Sequence, residues 1–181
     1  SRAEGEFIVD SLAKMWKANT YYVRLPGHGL DGESQNEVNF RDYLNEVEEA
    51  LYQVQELGDS VMIVGTSMGG LLGTYLAAEY PELVEGMILF SPFYDYSNPL
   101  GALVKIPGFI QLYALINGNE RTFEPSDNFE SRVKKGYNDH WTTQQKVTAI
   151  QSLESLRAFV AKTSVYKKVT DPVLMLYYYK D

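Results

Sequence analysis

The 181-residue sequence contains no cysteine. Disulfides, thiolate catalysis and cysteine metal sites are thereby excluded, while the compartment is left open. Histidine is scarce: His28 and His140 are the only two. Two such residues far apart in sequence cannot form a His-rich metal site, and no cofactor is expected. Positive charge is also in short supply, with 16 Lys and Arg against 24 Asp and Glu, a formal net charge of −8. Phosphate backbones would be repelled, so nucleic acid is not an expected partner. The basic pairs Lys134-Lys135 and Lys167-Lys168 read as solvated surface. No apolar run approaches the roughly 20 residues of a membrane span, and no secretory signal opens the sequence. A cytoplasmic location is the expectation. Because the sequence starts Ser1-Arg2-Ala3-Glu4-Gly5, a signal removed beforehand is left open.

What is present is enough apolar material for a core, 45% of residues, and one informative motif. The apolar run Val61-Met62-Ile63-Val64 leads into Gly65-Thr66-Ser67-Met68-Gly69-Gly70 and then into Leu71-Leu72-Gly73-Thr74-Tyr75-Leu76-Ala77-Ala78. A strand that turns abruptly into a helix, with serine at the corner of Gly-x-Ser-x-Gly, has the pattern of a nucleophile elbow. On that reading Ser67 is the candidate nucleophile. Gly65 and Gly69 flank it because side chains at both positions are expected to collide where helix and strand meet. The Met68 amide starts the helix, where free N–H groups and the dipole favour negative charge, so it is the candidate oxyanion donor. The bland alternative is a glycine-rich turn whose serine caps the helix.

Along the chain, apolar residues at helical spacing predict a helix near residues 5–18 and another over 40–57, closed by Gly58. Residues 21–25 predict a strand stopped by Pro26-Gly27-His28-Gly29. Further strands are expected at the Ser67 run, at 87–90 and at 173–179, and a helix over 144–168. Residues 98–143 change character, with recurrent Pro and Gly, and read as an inserted helical cap. The expected division is thus an α/β core from 1–97 and 144–181 with a cap or lid at 98–143. Alternating strands and helices imply a mostly parallel sheet with helices on both faces, and in such sheets chemistry sits at the carboxyl ends of the strands.

Three motifs in order resemble the α/β-hydrolase superfamily, in the branch of monoacylglycerol lipases and small bacterial carboxylesterases. They are Leu25-Pro26-Gly27-His28-Gly29 with Ser34 beyond it, Gly65-Thr66-Ser67-Met68-Gly69-Gly70, and Asp171-Pro172-Val173-Leu174 leading to Lys180-Asp181. The resemblance implies an α/β-hydrolase fold with an inserted cap. It implies a serine hydrolase acting on small-molecule carboxylic esters through an acyl-enzyme, with Ser67 as nucleophile and Asp181 as triad acid. Asp95, just beyond the 87–90 strand, is the reserve acid. The aromatic-rich segment Phe109, Ile110, Leu112, Tyr113 and Leu115 is a candidate acyl-pocket wall or, equally, cap packing.

The sequence departs from this pattern at two places. The general base, a histidine beyond the acid, has no counterpart: His28 belongs to the Pro-Gly-His-Gly turn and His140 to the cap. A strand expected before the first helix, which would carry the second oxyanion donor, is missing too. The expectation is therefore a stretch of a longer hydrolase that is not catalytically competent alone. Other chemistry on the same scaffold (amide hydrolysis, acyl transfer, carbon–carbon cleavage) and a non-catalytic ligand-binding protein remain the alternatives.

Overall fold

A computed structural model describes residues 2–122 and 144–177. Helix α1 spans Arg2–Trp16, α2 Gly32–Asn36 and α3 Phe40–Gln55. Strand β1 (Val61–Thr66) runs into α4 (Met68–Glu79), followed by β2 (Val84–Phe90). A 3-10 turn at Gly101–Lys105 precedes α5 (Phe109–Asn117) and β3 (Glu120–Thr122). After the undescribed segment come β4 (Gln144–Lys146), a 3-10 turn at Val147–Ala149, α6 (Ile150–Val160), α7 (Thr163–Tyr166) and β5 (Val173–Leu176).

The principal sheet has order β1-β2-β5 and is parallel throughout. Its register places Thr66, Phe90 and Leu176 in one row. All three strands therefore end at the same edge, and β2 has partners on both sides. A separate two-stranded antiparallel ladder joins β3 to β4, pairing Glu120 with Lys146 and Thr122 with Gln144.

Helix α4 explains why the sheet can be covered closely. It is apolar around most of its circumference, burying Leu71, Leu72, Leu76, Ala77 and Ala78. Full burial of each leucine is worth about 2–3 kcal/mol. Small residues line its sheet side: a Cβ on Gly73 would lie 2.9 Å from Cγ2 of Ile63. Leu71, Leu89, Leu156, Val84 and Val160 are the largest fully buried side chains and join α4, β2 and α6 into one core, with Tyr43, Leu44, Val47 and Leu51 of α3 packed on it. The start of α3 is fixed by a capping box. The Asn39 side chain accepts from the Arg41 amide at 2.9 Å, while Asp42 accepts from the Asn39 amide at 2.8 Å. Such a cap contributes about 1 kcal/mol.

Two sequence expectations need correction. Residues 21–25 carry no regular secondary structure and form no strand among the described residues. Their apolar side chains Val23 and Leu25 pack on the core, yet no neighbouring backbone supplies a ladder, and side-chain pattern alone does not make a strand. The helix expected over 144–168 is broken. Residues 144–146 pair with β3, and α-helix is confined to Ile150–Val160 and the single turn Thr163–Tyr166. At its end the Ala161 amide bonds to Arg157 and the Lys162 amide turns back to Val160. The helix α1 stands where expected, but Phe7, Met15 and Trp16 on it are exposed.

Candidate functional site

Ser67 occupies the corner between β1 and α4 with φ 50° and ψ −115°. That conformation is rare for a residue with a Cβ and costs on the order of 1–3 kcal/mol, sustained only where the surroundings dictate it. Here they do. The Ser67 amide donates to the Phe90 carbonyl at 3.0 Å, and the Ser67 carbonyl accepts from the amides of Gly70 (2.9 Å) and Phe93 (3.1 Å). The backbone is thus pinned from β2, from α4 and from the loop after β2. The side chain makes no capping hydrogen bond to its helix and the residue is exposed. A serine serving as an ordinary helix cap is therefore not what this corner contains.

The glycines divide differently from the sequence expectation. A Cβ on Gly65 would sit 2.6 Å from the Gly69 carbonyl oxygen, so this position admits no side chain. Gly69 itself has open space around the corresponding point, which corrects the expectation that a side chain there would collide. The second crowded position is Gly70, where a Cβ would come within 2.5 Å of the Pro92 ring. Sequence reasoning missed it because its obstacle lies more than twenty residues away. The Met68 amide, at the first position of α4, has no acceptor among the described residues. It stands with the positive end of a 12-residue helix dipole behind it.

The loop after β2 backs this corner. Thr74, buried on α4, donates its hydroxyl proton to the Gly70 carbonyl at 2.8 Å, so the 2.6 Å contact with the Tyr94 hydroxyl has tyrosine as donor. Phe93 and Tyr96 pack edge to face at 5.0 Å, as do Tyr94 and Tyr166 at 5.3 Å.

A strained serine at the carboxyl end of a parallel strand, uncapped and held at the head of a buried helix, is the local architecture the motif anticipated. The family described as Serine aminopeptidase, S33 (Hydrolase_4) matches residues 8–181. The chain belongs to this α/β-hydrolase family. A thermostable monoacylglycerol lipase of Bacillus sp. (strain H-257) is 32% identical over 99 residues, 53% of this chain and 35% of that protein. A structure from work on LipS and LipT, two metagenome-derived lipolytic enzymes, superposes with a TM-score of 0.70 at 20% identity, covering 95% of this chain and 64% of that one. A soluble variant of the Saccharomyces cerevisiae monoglyceride lipase, in complex with a substrate analogue, gives 0.57 at 17% identity, covering 86% and 57%. The two structural likenesses establish the fold alone. The matches span about a third of the length of the curated relatives.

The remaining site residues of this α/β-hydrolase fall as follows. The chain leaves β5 at the sheet edge that carries Ser67, since the Ser91 amide donates to the Leu176 carbonyl at 2.8 Å. Asp181 and His140 lie outside the described residues. Asp95 is exposed. The Lys105 ammonium donates to its carboxylate and holds it below the ordinary range, with help from the Tyr96 amide. His28 sits half-buried in its turn, edge-on to Tyr43 at 5.9 Å. Its Nδ1 is 3.1 Å from the Pro26 carbonyl, which only accepts, so Nδ1 carries a proton. Burial pushes the Tyr43 hydroxyl up to about 12. The turn itself demands glycine: Gly27 has φ 71°, and a Cβ there would lie 2.7 Å from Cα of Gln35.

On α5, Ile110 is buried while Leu112, Tyr113, Leu115 and Ile116 are exposed. A cavity of about 510 Å³ opens between α3, α5 and α6. Its lining side chains are mostly uncharged polar ones, including Asn36, Asn39, Thr148 and Gln151, together with Phe40, and Ser67 is not among them. Among the described residues no cluster of His, Asp and Glu is arranged to hold a metal ion, and no helix is long and apolar enough to cross a membrane.

Proposed function

We propose that this chain carries the nucleophilic half of a serine carboxylic-ester hydrolase of the monoacylglycerol-lipase and carboxylesterase type. The observation that carries the proposal is Ser67: exposed, uncapped and held at φ 50° beside an unengaged helix-start amide. A hydroxyl is a weak nucleophile at neutral pH and needs a base to take its proton as it attacks. In the proposed reaction Ser67 Oγ bonds to the ester carbonyl carbon and its proton passes to a histidine of the whole protein. The carbonyl oxygen becomes an oxyanion that accepts from the Met68 amide. Collapse expels the alcohol, which takes the proton. Water then repeats the sequence on the acyl-enzyme, regenerating Ser67 and releasing the acid. The proposed triad acid is Asp181, with Asp95 in reserve. The commitment of Asp95 to Lys105 and to the Tyr96 amide favours that ranking.

Lipases among the relatives support esters over other acyl compounds. The proposed cap is 98–143, and the apolar side chains of α5 support an uncharged, short to medium acyl chain as substrate. The test is labelling of the whole protein with a fluorophosphonate, alongside turnover of nitrophenyl esters of graded chain length. Ser67→Ala is expected to abolish labelling and to lower kcat by on the order of 10⁴–10⁶-fold. A native protein that resists labelling, or labelling that survives Ser67→Ala, overturns the proposal. A preference for charged acyl groups overturns the apolar-pocket part alone.

A further inference from the structure

Glu154 and Arg157 form a partly buried ion pair on α6 that the reaction above does not use. Each side chain is only 13% exposed. Nε and Nη2 of Arg157 donate to the two carboxylate oxygens of Glu154 at 2.7 Å each, a bidentate fork one helical turn apart. Stability alone is a weak reason to withdraw such a pair from water even in part, because an apolar pair of similar volume is often neutral or better. The third guanidinium nitrogen shows what else it does. Nη1 donates across to the main-chain carbonyl of Tyr94 at 3.4 Å, and the guanidinium lies 5.9 Å from the centre of the Tyr96 ring.

The held loop is the one that fixes Ser67. One residue before Tyr94, the Phe93 amide binds the Ser67 carbonyl; two residues before it, Pro92 sits against Gly70. The Tyr94 hydroxyl reaches Thr74 on α4. Glu154 orients the guanidinium plane, so that one nitrogen is left pointing at the loop. We propose that Arg157, oriented by Glu154, is a positioning residue that holds the loop after β2 against the elbow and so keeps Ser67 in its attacking conformation. This rests on the assignment of Ser67 as nucleophile.

The test uses the full-length protein with the double variant Glu154→Met/Arg157→Met and the single variant Arg157→Lys. Removing both charges leaves neither uncompensated, so the double variant is expected to retain its fold. Arg157→Lys keeps the charge but offers one ammonium where the fork needs three directed donors. Phosphonate-labelling rate, kcat, KM and melting temperature are measured on each. Labelling rate and kcat are expected to fall about tenfold or more in both variants, with KM within about twofold of native, because misplacement of a nucleophile acts on the chemical step. Labelling and kcat at the native level in a folded variant overturn the proposal and leave the pair as packing. A parallel rise in KM as large as the fall in kcat does the same. Should the double variant fail to fold, Arg157→Lys decides by itself. A native protein that is not labelled at all defeats the Ser67 assignment, a result distinct from labelling that the variants leave unchanged.

Discussion

At Ser67 the conflict between side-chain sterics and backbone conformation is local and measurable. A serine at φ 50° is strained, and two glycines make room for it. They are Gly65, facing the Gly69 carbonyl, and Gly70, facing Pro92. Gly69 has no comparable neighbour. Substitution by alanine separates these roles. Gly65→Ala and Gly70→Ala place a methyl group where backbone or a rigid ring already stands, and overpacking of this kind costs about 1–3 kcal/mol. Gly69→Ala at an open helical position is expected to stabilise by about 0.5 kcal/mol through the unfolded chain. Urea denaturation of the three variants checks this, and equal losses at Gly65 and Gly69 would contradict it. The motif's spelling gives both glycines the same standing; the geometry does not.

Elements of this chain are delimited by specific polar contacts. Asp31 caps α2, accepting from the Ser34 amide at 2.8 Å and from the Ser34 hydroxyl at 2.7 Å. The backbone hydrogen bond from Ser34, foremost, lowers the Asp31 carboxyl from its ordinary 3.8. A carboxyl whose folded value is depressed lends stability that is fully present above its unfolded value and is lost as pH falls through the lower folded one. The α2 cap is therefore expected to hold above about pH 4, near the ordinary aspartate value, and to loosen only in stronger acid. The Ser34 amide resonance followed by NMR should titrate with a midpoint below 3.8. A midpoint at or above that value would show the cap to be absent in solution. The helix matters to the ladder as well as to its own turn, because Gly32 is packed against the Gln144 carbonyl of β4.

For the whole molecule, the sheet order decides where resistance to opening is concentrated. β2 is hydrogen-bonded on both sides, and Leu89 and Val84 are fully buried. β5 pairs on one side and exposes Leu174, Met175 and Leu176. Residues 21–25 pair with no strand among the described residues. Local openings span a wide range of free energies in one fold, so amides of β2 are expected to exchange with deuterium on the order of 100-fold more slowly than those of residues 21–25. β5 is expected between them. Uniform protection across the three would mean that 21–25 has found a ladder partner in solution, restoring the strand expected from its sequence.

The strand–turn–helix corner at Ser67, the helices α1, α3 and α4, and the strands at 87–90 and from 173 to 176 were legible in the sequence. Each is encoded by neighbours: an apolar run, a helical spacing of leucines, a glycine that closes a helix. The α/β-hydrolase membership followed from three such motifs in order. What the sequence could not decide needs a partner distant along the chain. Residues 21–25 have the composition of a strand but no backbone partner among the described residues. Residues 144–146 become a strand because 120–122 lies beside them. Gly70 is indispensable because Pro92 folds onto it, and Arg157 acquires a role because Tyr94 presents its carbonyl. Propensity and patterning are set within a few residues and survive in one dimension; hydrogen-bond ladders, steric exclusion and buried charge pairs exist only once the chain has closed on itself.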